Sequence, residues 1–280
     1  MTPPAQSAAS NRRRRSPAHF TGMDSWCPLP AIRSDEHSHM RANISHYPPI
    51  PLLLCLAAIA VSSAHAQPKV PDHVVLKPTF MTGYDSFSGG TAFLCTVPEM
   101  DGILILTAHH LFGSACGLDR EYTWQELPKT FVATTCLSMT DPTHYITSTK
   151  PLTIPGAHAL DKSGYHNDLA GYRLLPAQSV PSLKLATARP AVGTTVFLHA
   201  RQRGKQTLDM FKAIVRKSTD TEFEYVYDTR LNLAGTSGAP VLNTFGEVVA
   251  VNIGGSEEAG KQWGMGNPCT SIIRLLKSAK

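Results

Sequence analysis

The chain has 280 residues, 42% hydrophobic and 17% charged, with a formal net charge of +5. Residues 1–66 hold six Arg, four of them in Arg12-Arg13-Arg14-Arg15, and three acids; setting them aside leaves 20 Lys and Arg against 18 Asp and Glu, a net charge of +2. No basic footprint for a nucleic-acid partner remains in the part expected to fold.

Residues 1–39 contain Pro and Ser without a hydrophobic period and read as a disordered or untranslated extension. Met40-Arg41 opens a different pattern. Leu52 to Val61 is apolar, and Ala64-His65-Ala66 fits a small-x-small cleavage site. Residues 40–66 are therefore predicted to be a secretory signal, cut after Ala66. The run is shorter than the roughly 20 apolar residues a membrane span needs. The 214 residues that remain suit one compact unit or two small fused barrels.

Short strand signals follow one another. Val74 to Pro78 is extended. Gly89 to Val97 reads as a strand, Pro98 to Gly102 as a turn, and Ile103 to Thr107 as a buried strand ending in Ala108-His109-His110. Phe131–Thr134 and Tyr145–Ser148 are further strands, punctuated by Pro142, Pro151, Pro155 and Gly156. Tyr165 to Asp168 is a turn leading into a strand through Leu174. Residues 67–175 are expected to form a first β-unit, 176–190 a linker, and 191–280 a second unit. Strand patterning resumes at 193–199, 210–217, 223–227, 239–242 and 247–253. Ile272, Ile273, Leu275 and Leu276 have helical spacing, with Thr270 or Ser271 as the expected cap. Many short strands and one terminal helix mean an all-β barrel or sandwich.

Cys95, Cys116, Cys136 and Cys269 remain after the leader. An even count in an exported chain predicts two disulfides, and four cysteines allow three pairings. No C-x-x-C pair and no H-E-x-x-H motif is present, so neither a metal nor a cofactor is expected.

Serine acyl transfer needs an attacking hydroxyl, an imidazole to take its proton, a carboxylate to orient the imidazole, and donors for the oxyanion. The chain supplies Thr107-Ala108-His109-His110, Asn167-Asp168-Leu169 and Gly235-Thr236-Ser237-Gly238, each at a strand end or turn. The order His, Asp, Ser excludes the nucleophile elbow, which runs Ser, acid, His.

These three motifs, in this order across nearly the whole chain after the leader, resemble the chymotrypsin family of serine peptidases. The resemblance implies two antiparallel six-stranded β-barrels with a short C-terminal helix and a site in the cleft between them. It assigns His110 as base, Asp168 as its carboxylate partner with Asp161 in reserve, and Ser237 as nucleophile. The N–H groups of Gly235 and Ser237 would form the oxyanion hole. His109 stands where the family usually has a small residue and is expected to be structural or solvent-facing. The implied function is a secreted endopeptidase acting on protein or peptide substrates. The alternative is a binding protein on the same fold that has lost turnover.

Digestive members carry Asp before the nucleophile, paired after activation with a new N-terminal ammonium. Here that residue is Thr236, so this switch is expected to be absent. Gly235-Thr236-Ser237-Gly238-Ala239-Pro240 resembles the bacterial glutamyl-endopeptidase-like branch more than the digestive members. The branch's carboxylate-reading histidine is replaced by Asn252, and Leu231 stands where trypsin-like members have Asp. An uncharged or small P1 residue is expected. Asn252, Ile253 and Gly254 would pair with substrate backbone as an added strand. The resemblance also implies a Cys95–Cys116 bridge around the His110 loop, and with it Cys136–Cys269.

Overall fold

The computed structural model describes residues 66–162, 164–174 and 180–279. The extension over 1–39, the leader up to residue 65 and the start of the expected linker lie outside the described residues. The architecture is all-β with a C-terminal helix, in two consecutive sheets.

The first sheet contains β1 (Val75–Met81), β2 (Ser86–Ser88), β3 (Ala92–Thr96), β4 (Leu104–Thr107), β5 (Ala133–Ser138), β6 (Tyr145–Ser148), β7 (Ala170–Arg173) and β8 (Leu183–Lys184). Its main path runs β6-β5-β1-β3-β4-β7. The two ends of this path meet through the segment after β6. Arg173 N donates to Lys150 O (2.8 Å), Leu152 N donates to Gly171 O (2.9 Å), and Pro151 bridges Tyr172. Pro151 has no N–H to give, so closure rests on its neighbours rather than on a continuous ladder.

Strands β3 and β4 are buried on both faces, and their alternating side chains feed two different cores. Ala92, Leu94 and Ile105 point into a cluster with Leu76, Phe80, Phe112, Phe131 and Tyr172, the interior of the first barrel. Phe93, Cys95, Leu104 and Leu106 point the other way and join Val196, Leu198, Val241, Val249 and Val251 of the second sheet in one continuous core.

The second sheet closes as a six-stranded barrel. Its strands are β9 (Thr195–Ala200), β10 (Asp209–Ser218), β11 (Phe223–Tyr227), β12 (Pro240–Leu242), β13 (Val248–Glu258) and β14 (Lys261–Pro268), ordered β10-β11-β14-β13-β12-β9. The crossing segment is strapped to both sheets. β8 pairs in parallel with β3, and Leu185 bridges Val248 of β13.

Two helices of α type are present among the described residues: α1 (Leu127–Thr130) and α2 (Cys269–Lys277). In α2, Ile272, Leu275 and Leu276 face the core as the spacing predicted. The expected hydroxyl cap is not made. Pro268 holds the cap position, because Ser271 Oγ donates to His166 O (2.6 Å) and Thr270 Oγ1 to Asp220 Oδ1 (3.3 Å).

The expected disulfides are not formed; all four cysteines are free thiols. Cys95 and Cys269 lie in the shared core, whereas Cys116 and Cys136 belong to the first-barrel interior. Each implied pair would have to cross from one core to the other. Burial pushes the thiols up, to about 12 for Cys136 and about 11 for Cys116 and Cys269. We expect a chain beginning at Gln67 to show four reactive thiols in denaturant without prior reduction; a thiol-reagent count of two or none would mean that bridges exist.

Candidate active site

His110 follows directly from the end of β4. The strand terminates at Thr107, and the chain turns into a 3-10 segment over His109–Phe112. Leu111 and Phe112 anchor this turn in the first-barrel core. His110 stays partly open, with 15% of its side chain exposed.

Asp168 precedes β7 and is fully buried. Its Oδ2 accepts from His110 Nδ1 at 2.7 Å, and its Oδ1 accepts from the His110 backbone N–H at 3.0 Å. Leu160 N adds a longer contact to Oδ2 (3.3 Å). The carboxylate thus fixes both the ring and the main chain of His110, and sets the tautomer with the proton on Nδ1. Burial alone would lower the pKa of His110, but the charge and hydrogen bond of Asp168 outweigh it and hold it above the ordinary imidazole value. Burial alone would raise Asp168; the His110 charge and two hydrogen bonds hold it below the ordinary carboxylate range. Asp161, the reserve residue, pairs with His158 instead (3.5 Å).

Ser237 sits in the loop between β11 and β12, half-buried. The loop leans against the end of the strand that carries the histidines. Ser237 O accepts from Thr91 N (2.7 Å), and Gly235 O accepts from Thr91 Oγ1 (2.9 Å). Gly238 is in the left-handed region (φ 85°), and a Cβ there would collide with Thr91 O and Thr107 Oγ1 and lie 3.2 Å from Ala108 N. Only glycine permits this approach. Gly235 is also left-handed (φ 82°) but faces open space. Among the described residues the N–H groups of Gly235 and Ser237 have no acceptor, whereas those of Thr236, Gly238 and Ala239 are bonded within the fold. Two free donors beside a serine hydroxyl are what an oxyanion needs. The hydroxyl itself points to Ile253 O at 3.5 Å and shares no hydrogen bond with His110. Catalytic hydrogen bonds are often long without substrate and tighten when it binds.

With this geometry in place, residues 90–251, more than half of the chain, match the family model of the trypsin-like peptidase domain. The chain belongs to this family. Solved structures of similar fold include the HtrA-type protease AlgW with tripeptide (14% identity, TM-score 0.48), whose length is covered to 60% by 74% of this chain. A serine endoprotease from Yersinia pestis (16%, TM-score 0.48) is covered to 62% by 74% of the chain. The active form of the Rv3671c protease from M. tuberculosis (16%, TM-score 0.47) is covered to 93% by 85% of it. The chain therefore spans about 60% of the first of these. No curated protein matches it in sequence.

Four residues of this peptidase domain were expected to contact substrate. Leu231 has both backbone groups held by the Gln262 amide (2.6 and 2.8 Å). Gly254 is half-buried, and the Ile253 side chain is buried. A register shift between Asn252 and Gly254 leaves Ile253 as a bulge, which re-aims its carbonyl toward Ser237. Asn252 faces the protein interior. It is fully buried, its backbone groups pair with Gly238 and Ala239, and its amide is spent on Thr236 and Tyr225. Thr91 and Tyr225 carried no motif and were not legible as site residues. The only signal was Thr91's place after the Gly89-Gly90 pair.

His109 is buried rather than solvent-facing, and neither ring nitrogen has a partner among the described residues. Burial pushes its pKa down to about 4. An unfolded histidine titrates near 6.5, so the folded state favours the neutral ring. The stability this gives is complete above about 6.5 and is lost as pH falls toward 4. We expect the melting temperature to drop between pH 7 and 4.5, and to drop less steeply in His109→Ala; equal slopes would show that His109 is not the titrating group.

Proposed function

We propose that the chain is an exported serine endopeptidase, on the glutamyl-endopeptidase-like side of its family, with His110, Asp168 and Ser237 as its catalytic residues. The 2.7 Å bond from His110 Nδ1 to buried Asp168, together with a serine loop that keeps two N–H groups without an acceptor among the described residues, carries this reading. The export assignment rests on the leader pattern over 40–66.

His110 Nε2 takes the proton of Ser237 Oγ as the oxygen attacks a peptide carbonyl. The carbonyl oxygen becomes an oxyanion held by Gly235 and Ser237 N–H; a donor of this kind contributes about 2.7–4 kcal/mol. The imidazolium, stabilised by Asp168, returns the proton to the leaving amine. A water molecule, deprotonated by the same ring, then releases the acyl group. Leu231, Leu233, Ile253 and Met265 are apolar residues near the bulged strand, and a Cβ at Gly255 would approach Leu233 Cδ1 within 2.5 Å. These side chains support an uncharged or small P1 residue. The alternative, a peptide-binding protein on the same fold, is favoured only by the Ser237 hydroxyl turning to Ile253.

A fluorophosphonate probe separates the two. We expect labelling of the chain beginning at Gln67, none in Ser237→Ala, and a loss of roughly four orders of magnitude in kcat for Asp168→Asn. Because the base must be neutral, the labelling rate should rise with pH through a midpoint above about 6.5. Removing the Asp168 charge should move that midpoint down. Failure of the native chain to label would favour the binding protein.

A further inference from the structure

The residue before the nucleophile, Thr236, is fully buried and bonded only to uncharged groups. Its hydroxyl donates to Leu233 O (2.7 Å) and accepts from Asn252 Nδ2 (3.0 Å). The same amide nitrogen donates to Thr236 O (2.9 Å). Asn252 Oδ1 accepts from the Tyr225 hydroxyl (2.6 Å). All three side chains are buried, and each polar atom of the Asn252 amide has a partner. The amide orientation is dictated by chemistry, because a backbone carbonyl can only accept and the nitrogen must therefore face Thr236.

The backbone of Asn252 completes the grip. Its carbonyl accepts from Gly238 N (2.7 Å) and its N–H donates to Ala239 O (2.8 Å). One residue of β13 thus holds the chain on both sides of Ser237. From the opposite barrel, Thr91 holds Ser237 O and Gly235 O. Tyr225 reaches this position because Gly264 lies against its ring, where a Cβ would come within 2.5 Å of Tyr225 Cε2.

A loop with left-handed glycines at 235 and 238 has many conformations open to it, and few of them aim two N–H groups at one point. Something must select the right one. The Thr236 hydroxyl and carbonyl are both already bonded, to Leu233 O, the Asn252 amide and Ala239 N. The early described segment is seated elsewhere: Gln67 Nε2 donates to Met210 O (3.4 Å), and Lys69 O lies 3.1 Å from where a Gly246 Cβ would be.

We propose that Asn252 is a positioning residue which, through Thr236 and against Thr91, holds the Gly235–Ser237 loop in its oxyanion-binding shape by uncharged hydrogen bonds, with no contribution from the Gln67 side chain. This rests on the reading of Ser237 as nucleophile. Loss of the Asn252 amide removes its bonds to Thr236 O and Thr236 Oγ1 and leaves Ala239 N as the remaining donor to that carbonyl, a cost of about one hydrogen bond. A carboxylate at 252 is worse than an alkyl group, since it sets a buried charge against a carbonyl oxygen.

The test compares the chain beginning at Gln67 with Asn252→Leu, Asn252→Asp, Thr236→Val, Thr236→Ser and Gln67→Ala. The readouts are kcat and KM on a peptide substrate, the rate of fluorophosphonate labelling, and the melting temperature. We expect Asn252→Leu and Thr236→Val to lower kcat about tenfold to a hundredfold with KM little changed, and Asn252→Asp to lower it further. Thr236→Ser, which keeps the hydroxyl, should recover most of the rate, and Gln67→Ala should match the native chain. A folded Thr236→Val with native kcat, a Thr236→Ser no better than Thr236→Val, or a large loss in Gln67→Ala would overturn the clamp while leaving the nucleophile in place. If Asn252→Leu does not fold, the Thr236 pair decides alone. A native chain that neither labels nor hydrolyses removes the nucleophile reading, and the clamp with it.

Discussion

Gly238 is where the two barrels come close enough to share a site. Its backbone passes so near Thr91 and Thr107 that no side chain fits, and Ser237 O is thereby brought within 2.7 Å of Thr91 N. The serine loop belongs to the second barrel and the histidine turn to the first. Each is fixed in its own barrel by apolar anchors, Leu111 and Phe112 on one side and Ala239 and Val241 on the other. The shared core beneath, from Phe93 and Leu106 to Val241 and Val251, keeps the two from sliding.

The polar groups around this contact divide into two kinds. Asp168 is a buried charge, and it is tolerated because it accepts from both the ring and the backbone of His110. The side chains seen to grip the serine loop are neutral: the Thr91 hydroxyl, the Asn252 amide and the Thr236 hydroxyl, with the Tyr225 phenol behind them. Neutral buried groups with matched partners cost little to bury and do not change with pH near neutrality. The charge of Asp168 is spent on His110, apart from these neutral bonds. His109, the residue before His110, differs: it is buried and ionisable, and neither ring nitrogen has a partner among the described residues.

Much of this was legible in the chain because chemistry and local structure coincide. His110 and Asp168 stand at strand boundaries, where alternation stops and a turn begins, and the structure brings them to 2.7 Å. The helix α2 followed from the spacing of Ile272, Leu275 and Leu276. What was not legible depends on partners distant in sequence. Asn252 looks like any polar residue in a strand until Tyr225 and Thr236 are placed around it, and Thr91 looks like an ordinary strand residue until Gly235 is beside it. Cysteine counting failed for the same reason. An even number says nothing about which core each thiol faces, and alternation along β3 sends Cys95 away from the interior that holds Cys116. The hydroxyls of Thr270 and Ser271 were read as local caps but are taken by Asp220 and His166.

The central claim is that a loop held by neutral bonds presents two N–H groups to the oxygen of an attacked carbonyl. A crystal structure of the chain after reaction with a small fluorophosphonate tests it most directly. The account predicts phosphorus on Ser237 Oγ, its oxygen about 3 Å from both Gly235 N and Ser237 N, and the Asn252 amide still on Thr236. Phosphorus on another residue, or a phosphoryl oxygen turned to solvent with both N–H groups unbonded, would contradict it.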